Sequence, residues 1–548
     1  MTEPRLILGP VLRHVDETSA TVWVETDRSC VVEILGSTSR TFQVGGHHYG
    51  LVIITGLTPG ESRPYTVSLD GHTVWPLPDS PFPASRIRTY AVDQGSQLRM
   101  VFGSCRFASP LTPRQRRNVG GDALNAYAER MAEQSDSQWP DVLLLLGDQV
   151  YADETSPYIR RWISRRRDTG KPPGIGVADF EEATQLYAET WSDPEIRWLM
   201  STVSTSMIFD DHDIIDDWNT SAAWRRAMAR LPWWRERIRG CLMAYWLYQH
   251  LGNLTPSELA EHELLAEVRR VGETGDAYDV LRDFADKADA EVDGVKYTRW
   301  SYRRDIGSVR LVVIDTRCGR ILGTNRLMVS DAEFDWIEDA TRGDYEHLLI
   351  GSSLPWLLPH AVHEVESLNE RACARGGIRG WLAERVRQAI DLEHWSAFRT
   401  SFDRLARLLH AIGSGERTTR PPATVSVLSG DVHHSYIAEA HFGEREWPKV
   451  WQVTCSPVHN TIPLVAELAF RVTWSKAVTR LVSWWARRRG VGPRPLWWYR
   501  LSGPDFRNQV AVLDIADRDY TVTFESDAQV GEPLTVPLAS HGGRVTRG

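Results

Sequence analysis

Several short apolar runs in this chain end, one after another, in residues that bind cations. They close on Gly103-Ser104-Cys105, on Gly147-Asp148, on Asp210-Asp211-His212-Asp213 and on Gly430-Asp431-Val432-His433-His434. Carboxylates, imidazoles and a thiol gathered at one place make a metal site. Gly147 lets the backbone turn tightly, so that Asp148 points into such a site, and Tyr151 follows three residues on. Asp431 and His433 alternate along an extended segment, which puts both side chains on one face. A bridging carboxylate with His, Asp, Tyr and Cys around it suits two unlike ions, one softer or ferric at Cys105, Tyr151 and His433, the other rich in oxygen ligands. Two such ions polarise a phosphate and turn a shared water into a hydroxide nucleophile. His212 would then give a hydrogen bond or a proton to the phosphate or the leaving oxygen. Each motif alone has an ordinary reading: a Gly-Asp turn, a small core cysteine, an acidic helix cap. Their common order at strand ends is what points to chemistry.

The elements that carry these motifs are continuous apolar strands, among them Asp141–Asp148, Ser206–Asp211, Leu311–Asp315, His347–Ser353 and Val425–Asp431. Strands apolar on both faces belong in the middle of a helix-covered sheet, where ligands bind beyond the carboxyl ends. Helical stretches separate them, at Asp122–Ser135 and across 231–290, where Thr255-Pro256-Ser257-Glu258 has the form of a capping box. Residues 1–90 differ, with short alternating runs such as Ala20–Glu25 and Tyr65–Leu69 between turn clusters. That pattern predicts a small antiparallel β-sandwich, fibronectin- or immunoglobulin-like, followed by a Pro-rich linker over 76–83. The expected architecture is α/β over residues 98–530, with helical insertions near 150–200, 220–290 and 365–415. A Trp- and Arg-rich cap is expected over about 460–500, followed by a hairpin-like run over 510–524.

Composition sets the outer bounds. The net charge of −9 over 548 residues gives no general reason for a nucleic-acid partner. No signal-peptide pattern opens the sequence and no apolar run is long enough to span a bilayer, so a cytoplasmic location is expected. Six well-separated cysteines without a CxxC pair argue against both a disulfide framework and a zinc ribbon.

The motifs resemble the calcineurin-like metallophosphoesterases, and Gly147-Asp148-Gln149-Val150-Tyr151 is similar to the form in which a tyrosine binds ferric iron. With Gly103-Ser104-Cys105, Asp210-Asp211-His212-Asp213 and Gly430-Asp431-Val432-His433 in place of the usual motifs, the set resembles the alkaline phosphatase D (PhoD-like) family. That resemblance runs from about residue 7 to 525. It implies a calcineurin-like βαβ sandwich and hydrolysis of phosphomonoesters or phosphodiesters. It also implies Fe3+ on Cys105, Tyr151 and His433, Asp148 as the bridge, and Ca2+ on Asp211 and Asp431. Asp216-Asp217 stand where the family often carries asparagines, one of them a calcium ligand; Asp216 is a candidate ligand here, with Asp217 as the alternative.

Three further expectations concern neighbouring residues. Arg106 is a candidate contact for the substrate phosphate through its planar fork. Asp315-Thr316-Arg317 reads as structural, while His360 and His363 are candidates for one more ligand. The basic, Trp-rich stretch 464–489 is expected to cap the site, the rival reading being contact with a membrane surface and a phospholipid-directed phosphodiesterase. A small phosphate ester is the expected substrate, against a second rival in which the chain is an inactive binding protein.

Overall fold

The computed structural model describes residues 3–93, 95–107, 119–293, 296–323, 325–443, 450–462, 464–527 and 534–539. Its first unit consists of β1 (Leu6–Val15), β2 (Ser19–Thr26), β3 (Val31–Ile34), β4 (Ser37–Arg40) and β5 (Phe42–Val44). These continue into β6 (His47–Thr55), β7 (Ser62–Pro64), β8 (Val67–Leu69), β9 (His72–Trp75) and β10 (Arg86–Arg88). Antiparallel pairing gives the orders β1-β2-β6-β5 and β4-β3-β8-β9, with β7 and β10 as a separate ribbon. Val22, Val24, Val52 and Ile54 face the second sheet and share its core with Val32, Val67 and Leu69. The alternate residues Trp23, Tyr49 and Leu51 join the core of the rest of the molecule. Every residue of β2 is therefore buried. Its alternation separates two cores, and not a core from solvent.

Two larger sheets complete the chain. Their strands are β11 (Leu98–Gly103), β12 (Val142–Leu146), β13 (Ser204–Ile208), β14 (Tyr302–Ile306), β15 (Val309–Ile314), β16 (His347–Ser352) and β17 (Thr424–Ser429). The chain continues with β18 (Ser435–His441), β19 (Val450–Thr454), β20 (Trp497–Asp505), β21 (Gln509–Ala516), β22 (Asp519–Ser526) and β23 (Leu534–Ala539). One sheet runs β13-β12-β11-β21-β22-β23, the other β14-β15-β16-β17-β19-β18-β20. Strands β11, β12 and β13 are parallel, as are β15, β16, β17 and β19. Leu311, Val313, Leu349 and Leu428 pack into the core shared with the first sheet, whereas Val312, Ile314, Leu348 and Val425 face helices on the outside. The result is an α/β sandwich in which the carboxyl ends of β11, β12, β13, β15 and β17 meet along one edge.

Five helices lie near that edge or flank the second sheet: α1 (Ala123–Ala132), α2 (His360–Ala374), α3 (Gly377–Ala389), α4 (Leu464–Thr473) and α5 (Lys476–Arg488). The Thr255–Glu258 capping box is present, with reciprocal side-chain and backbone bonds. All six cysteines are free thiols. Among the described residues no helix is long and apolar enough to cross a membrane.

Arg13 of β1 ties the first unit to the second. It is fully buried, and its guanidinium donates to the carbonyls of Tyr248 and Gln249 and to Asn253 Oδ1. Arg13→Ala leaves those acceptors unpaired beside a cavity, so a loss of about 3 kcal/mol or more is expected. Urea unfolding followed by fluorescence and by circular dichroism checks this. One shared transition at a lower midpoint is the expected result.

Candidate metal centre

Two of the strand ends come from different sheets and are stitched directly together. Ser104 Oγ, beyond β11, accepts from the Asp431 backbone N–H at 3.1 Å. A Cβ on Gly430 would stand 2.0 Å from that same oxygen, so only glycine allows this approach. The residues just past the strands turn sharply: Cys105, Asp148, Asp431 and His433 have φ of 58°, 50°, 67° and 49°. A left-handed conformation is costly for a residue with a Cβ and persists only where the surroundings over-determine it. Here the strain aims four side chains into one space.

Cys105 Sγ donates to Asp148 Oδ2 at 3.3 Å and lies 3.3 Å from both Ser104 Oγ and Ser456 Oγ. Burial, and then the carboxylates of Asp148 and Asp431, push its thiol well above the ordinary range. Tyr151 is buried beside it, its hydroxyl accepting from Asn460 Nδ2 at 2.8 Å. Burial raises this phenol too, helped by Cys105 and Asp148. Asp148 itself is pushed well up by burial and by Asp211, Asp210 and Asp213, and its Oδ1 has no hydrogen-bond partner. A buried carboxylate oxygen without a donor, next to a thiol and a phenol held neutral, is a donor set that fits a cation. Burial pushes the His433 imidazole down to about 4, which leaves it neutral, as a metal ligand must be.

Ligand atoms of Asp148, Asp211 and His212 lie within 4.8 Å of one another, as do those of Asp210, Asp211 and Asp431. Asp213 fixes the first group from behind: its Oδ2 accepts from the backbone N–H of Asp148 at 3.0 Å and of Asp210 at 2.8 Å. His212 Nδ1 sits 3.0 Å from Asp153 Oδ1. Burial opposes a charge on this ring, but Asp153, Asp211 and Asp148 outweigh it and raise its pKa well above normal. Asp216 reaches to 3.9 Å from His212 Nε2 and is mostly exposed. Asp217 is buried, donates its N–H to Asp211 Oδ2 at 3.0 Å, and keeps an unpartnered Oδ1.

Residues 117–486 match the model of the PhoD-like phosphatases. The chain belongs to the PhoD-like phosphatase family. At that level it is a metal-dependent hydrolase of phosphoric esters. A solved structure described as "Structure of PhoD" has a TM-score of 0.57 at 10% identity, covering 98% of this chain and 90% of that one. At such identity the likeness concerns the fold alone. A maltogenic amylase from S. marinus aligns with a TM-score of only 0.16 at 9% identity, over 95% of this chain and 77% of that one, and carries no argument. Residues 3–87 match a domain of unknown function (DUF7800). No curated protein matches the chain by sequence.

In this PhoD-like phosphatase the strand end after β15 also reaches the centre, through Arg317. Its fully buried guanidinium pairs with Asp210, with Glu393 at 2.6 Å, with Asp211 at 3.3 Å and with Asp431 at 3.7 Å. Arg317 is thus structural, as expected, but at the heart of the site. Asp431 also meets His394 Nε2 at 3.1 Å, and His394 Nδ1 is held by Glu366 at 2.7 Å. Glu393 and His394 sit in a loop past α3, away from any strand end, so no sequence pattern marked them. His360 and His363 are corrected: His360 bonds Trp498 O and Arg494, while His363 is buried against Phe402 and Trp498.

Arg106 is corrected as well. It turns away from the site and is 1% exposed, bonded to Asp122 at 2.8 Å, to Thr190 O and to Asn125 Oδ1 at 3.2 Å, and 3.6 Å from Asp193. Asp122 caps α1, so this pair fixes a helix and not a substrate. Arg106→Gln strands two buried carboxylates, and a loss of about 3 kcal/mol in stability is expected with KM unchanged. Denaturant titration and steady-state kinetics on the same preparation check both halves.

Proposed function

We propose that this chain hydrolyses phosphomonoesters and phosphodiesters at a binuclear centre bridged by Asp148. Cys105, Tyr151 and His433 would hold a ferric ion, and Asp211 and Asp431 a calcium ion. Asp217, with its buried and unpartnered oxygen, has a better claim than Asp216 to complete the calcium site. One observation supports this above all: Asp148 is buried with a free oxygen at the point where the Cys105 thiol, Asp211 and His212 converge on it. Bound cations would polarise the ester and lower the pKa of a water to give the nucleophile.

The side chains around the centre have separate tasks. Asp153 keeps a proton on His212, which donates to a phosphate oxygen or to the leaving oxygen. Arg317 holds Asp211 and Asp431 in register, and it remains charged because those carboxylates outweigh its burial together with Asp210 and Glu393. Asp213 fixes the backbone on both sides of the bridge.

Elemental analysis of protein purified without added metals tests this reading, together with hydrolysis of a chromogenic monoester and diester with and without calcium. Iron near one per chain and calcium-dependent turnover, both lost in Asp148→Asn, are expected; the ratio of the two substrates then gives the ester preference. Protein that stays metal-free and inactive after both ions are supplied would sink the proposal.

A pH profile tests the role of His212 separately. Its raised pKa means that the proton is present at low pH and is lost as pH rises through the folded-state value. Activity that needs this proton falls on the alkaline side. Asp153→Asn removes the principal group favouring the charge, so the alkaline limb should move to lower pH while the acid limb stays in place. An unmoved alkaline limb would exclude His212 as the donor.

A further inference from the structure

One face of the molecule has an unusual composition for a chain of net charge −9. From Thr461 to Arg489 there are six basic residues and a single acid, Glu467. Glu467 is already paired with Arg471 at 2.8 Å. On α4, Leu464, Leu468 and Val472 recur every four residues and are all more than half exposed, at 67%, 55% and 55%. On α5, Leu481 and Trp484 are exposed by 66% and 52%, and Trp485 lies beside them. The opposite side of α5 is anchored: Ser483 and Ala486 are buried, and Ser483 Oγ donates to Glu364 on α2 at 3.1 Å.

The neighbouring helix α3 extends this face. Asn369 of α2 donates to Ala383 O of α3 at 2.8 Å, and Arg371 of α2 to Arg489 O at the end of α5 at 3.2 Å, so α3 and α5 both pack on α2. An open cavity of about 870 Å³ is lined by Gly380, Trp381 and Glu384 of α3 and by Gly490, Val491 and Gly492 just past α5. Ile378 and Trp381 are exposed by 79% and 57%. Guanidinium groups lie over the indoles, Arg488 at 4.2 Å from the Trp484 ring, Arg489 at 5.4 Å from Trp485 and Arg385 at 5.3 Å from Trp381.

A partner for this face must take aliphatic side chains out of water and offer negative charge around them. A second copy of the same face brings basic residues against basic residues, which repel. Nucleic acid takes the arginines and the indoles but leaves Leu464, Leu468, Val472 and Leu481 wet. The headgroup region of a bilayer satisfies both demands, because indoles and leucines enter the interface while basic side chains snorkel to phosphates. We propose that the face formed by α3, α4 and α5 docks on a lipid bilayer rich in anionic headgroups. Docking would set the metal centre close to the bilayer, since Phe470 on the inner side of α4 packs against His434, next to His433. Such docking does not depend on turnover.

Co-sedimentation of the full chain with vesicles tests it, using phosphatidylcholine alone and phosphatidylcholine mixed with phosphatidylglycerol. Binding to the mixed vesicles, weak binding to the neutral ones, and release in about 0.5 M salt are expected. The double variants Leu481→Ser with Trp484→Ser and Arg487→Glu with Arg488→Glu should each lower partitioning at least about tenfold, with unchanged thermal melts. The proposal is overturned if the mixed vesicles fail to sediment the protein, or if the folded variants bind as well as the parent. Retention on single-stranded DNA without vesicle binding, or a dimer that the leucine–tryptophan variant dissociates, would also overturn it.

Discussion

A buried guanidinium surrounded by carboxylates governs the centre of this protein. Arg317 leaves the end of β15 and pairs with Asp210 and Asp211 beyond β13, Asp431 beyond β17 and Glu393 in the loop past α3. Those partners come from both large sheets and a helical insertion, so one side chain fixes the distance between three parts of the fold. Two carboxylates about 4 Å apart repel by about 4 kcal/mol at an effective dielectric constant near 20. Without a counter-charge such a cluster would protonate or spread, and neither outcome leaves ligands for a cation. Buried ion pairs add little net stability, but removing one partner is expensive, and that asymmetry holds the arrangement in place.

The backbone around this hub is under strain of a useful kind. Cys105, Asp148, Asp431 and His433 all adopt left-handed conformations just past their strands, where an extended continuation would carry them away from the edge. The Asp213 carboxylate takes two backbone N–H groups, and Ser104 takes a third, so the turns are tied to one another. Rigid parallel strands then make the ends converge. Burial keeps the Cys105 thiol and the Tyr151 phenol neutral beside Asp148.

The first unit does more than precede the second. Its β1-β2-β6-β5 sheet is covered on both faces, by its own second sheet and by the large domain, and Arg13 is anchored there by buried backbone carbonyls. Helices α4 and α5 have the opposite character, with one face on the molecule and the other presenting leucines, indoles and arginines to solvent. The contrast separates faces that the chain buries against itself from faces that it presents to solvent.

The sequence alone specified the α/β architecture and the motifs at the strand ends. Apolar runs buried on both faces, each ending in Gly-Asp, Asp-Asp-His or Asp-Val-His, are local patterns, and sheet topology turns them into one edge. Tertiary structure decided the rest, because burial and partners depend on residues distant in the chain. Arg106 follows Cys105 directly, yet its nearest anion is Asp122 at the cap of α1, so it faces the interior. His394 reaches Asp431 from a loop with no strand-end signature, whereas His360 and His363, which do follow a strand end, are taken by Trp498, Arg494 and Phe402. The alternation in β2 was legible, but the second core on its other face was not. A period-2 pattern says that two faces differ; only the packed molecule says what covers each of them.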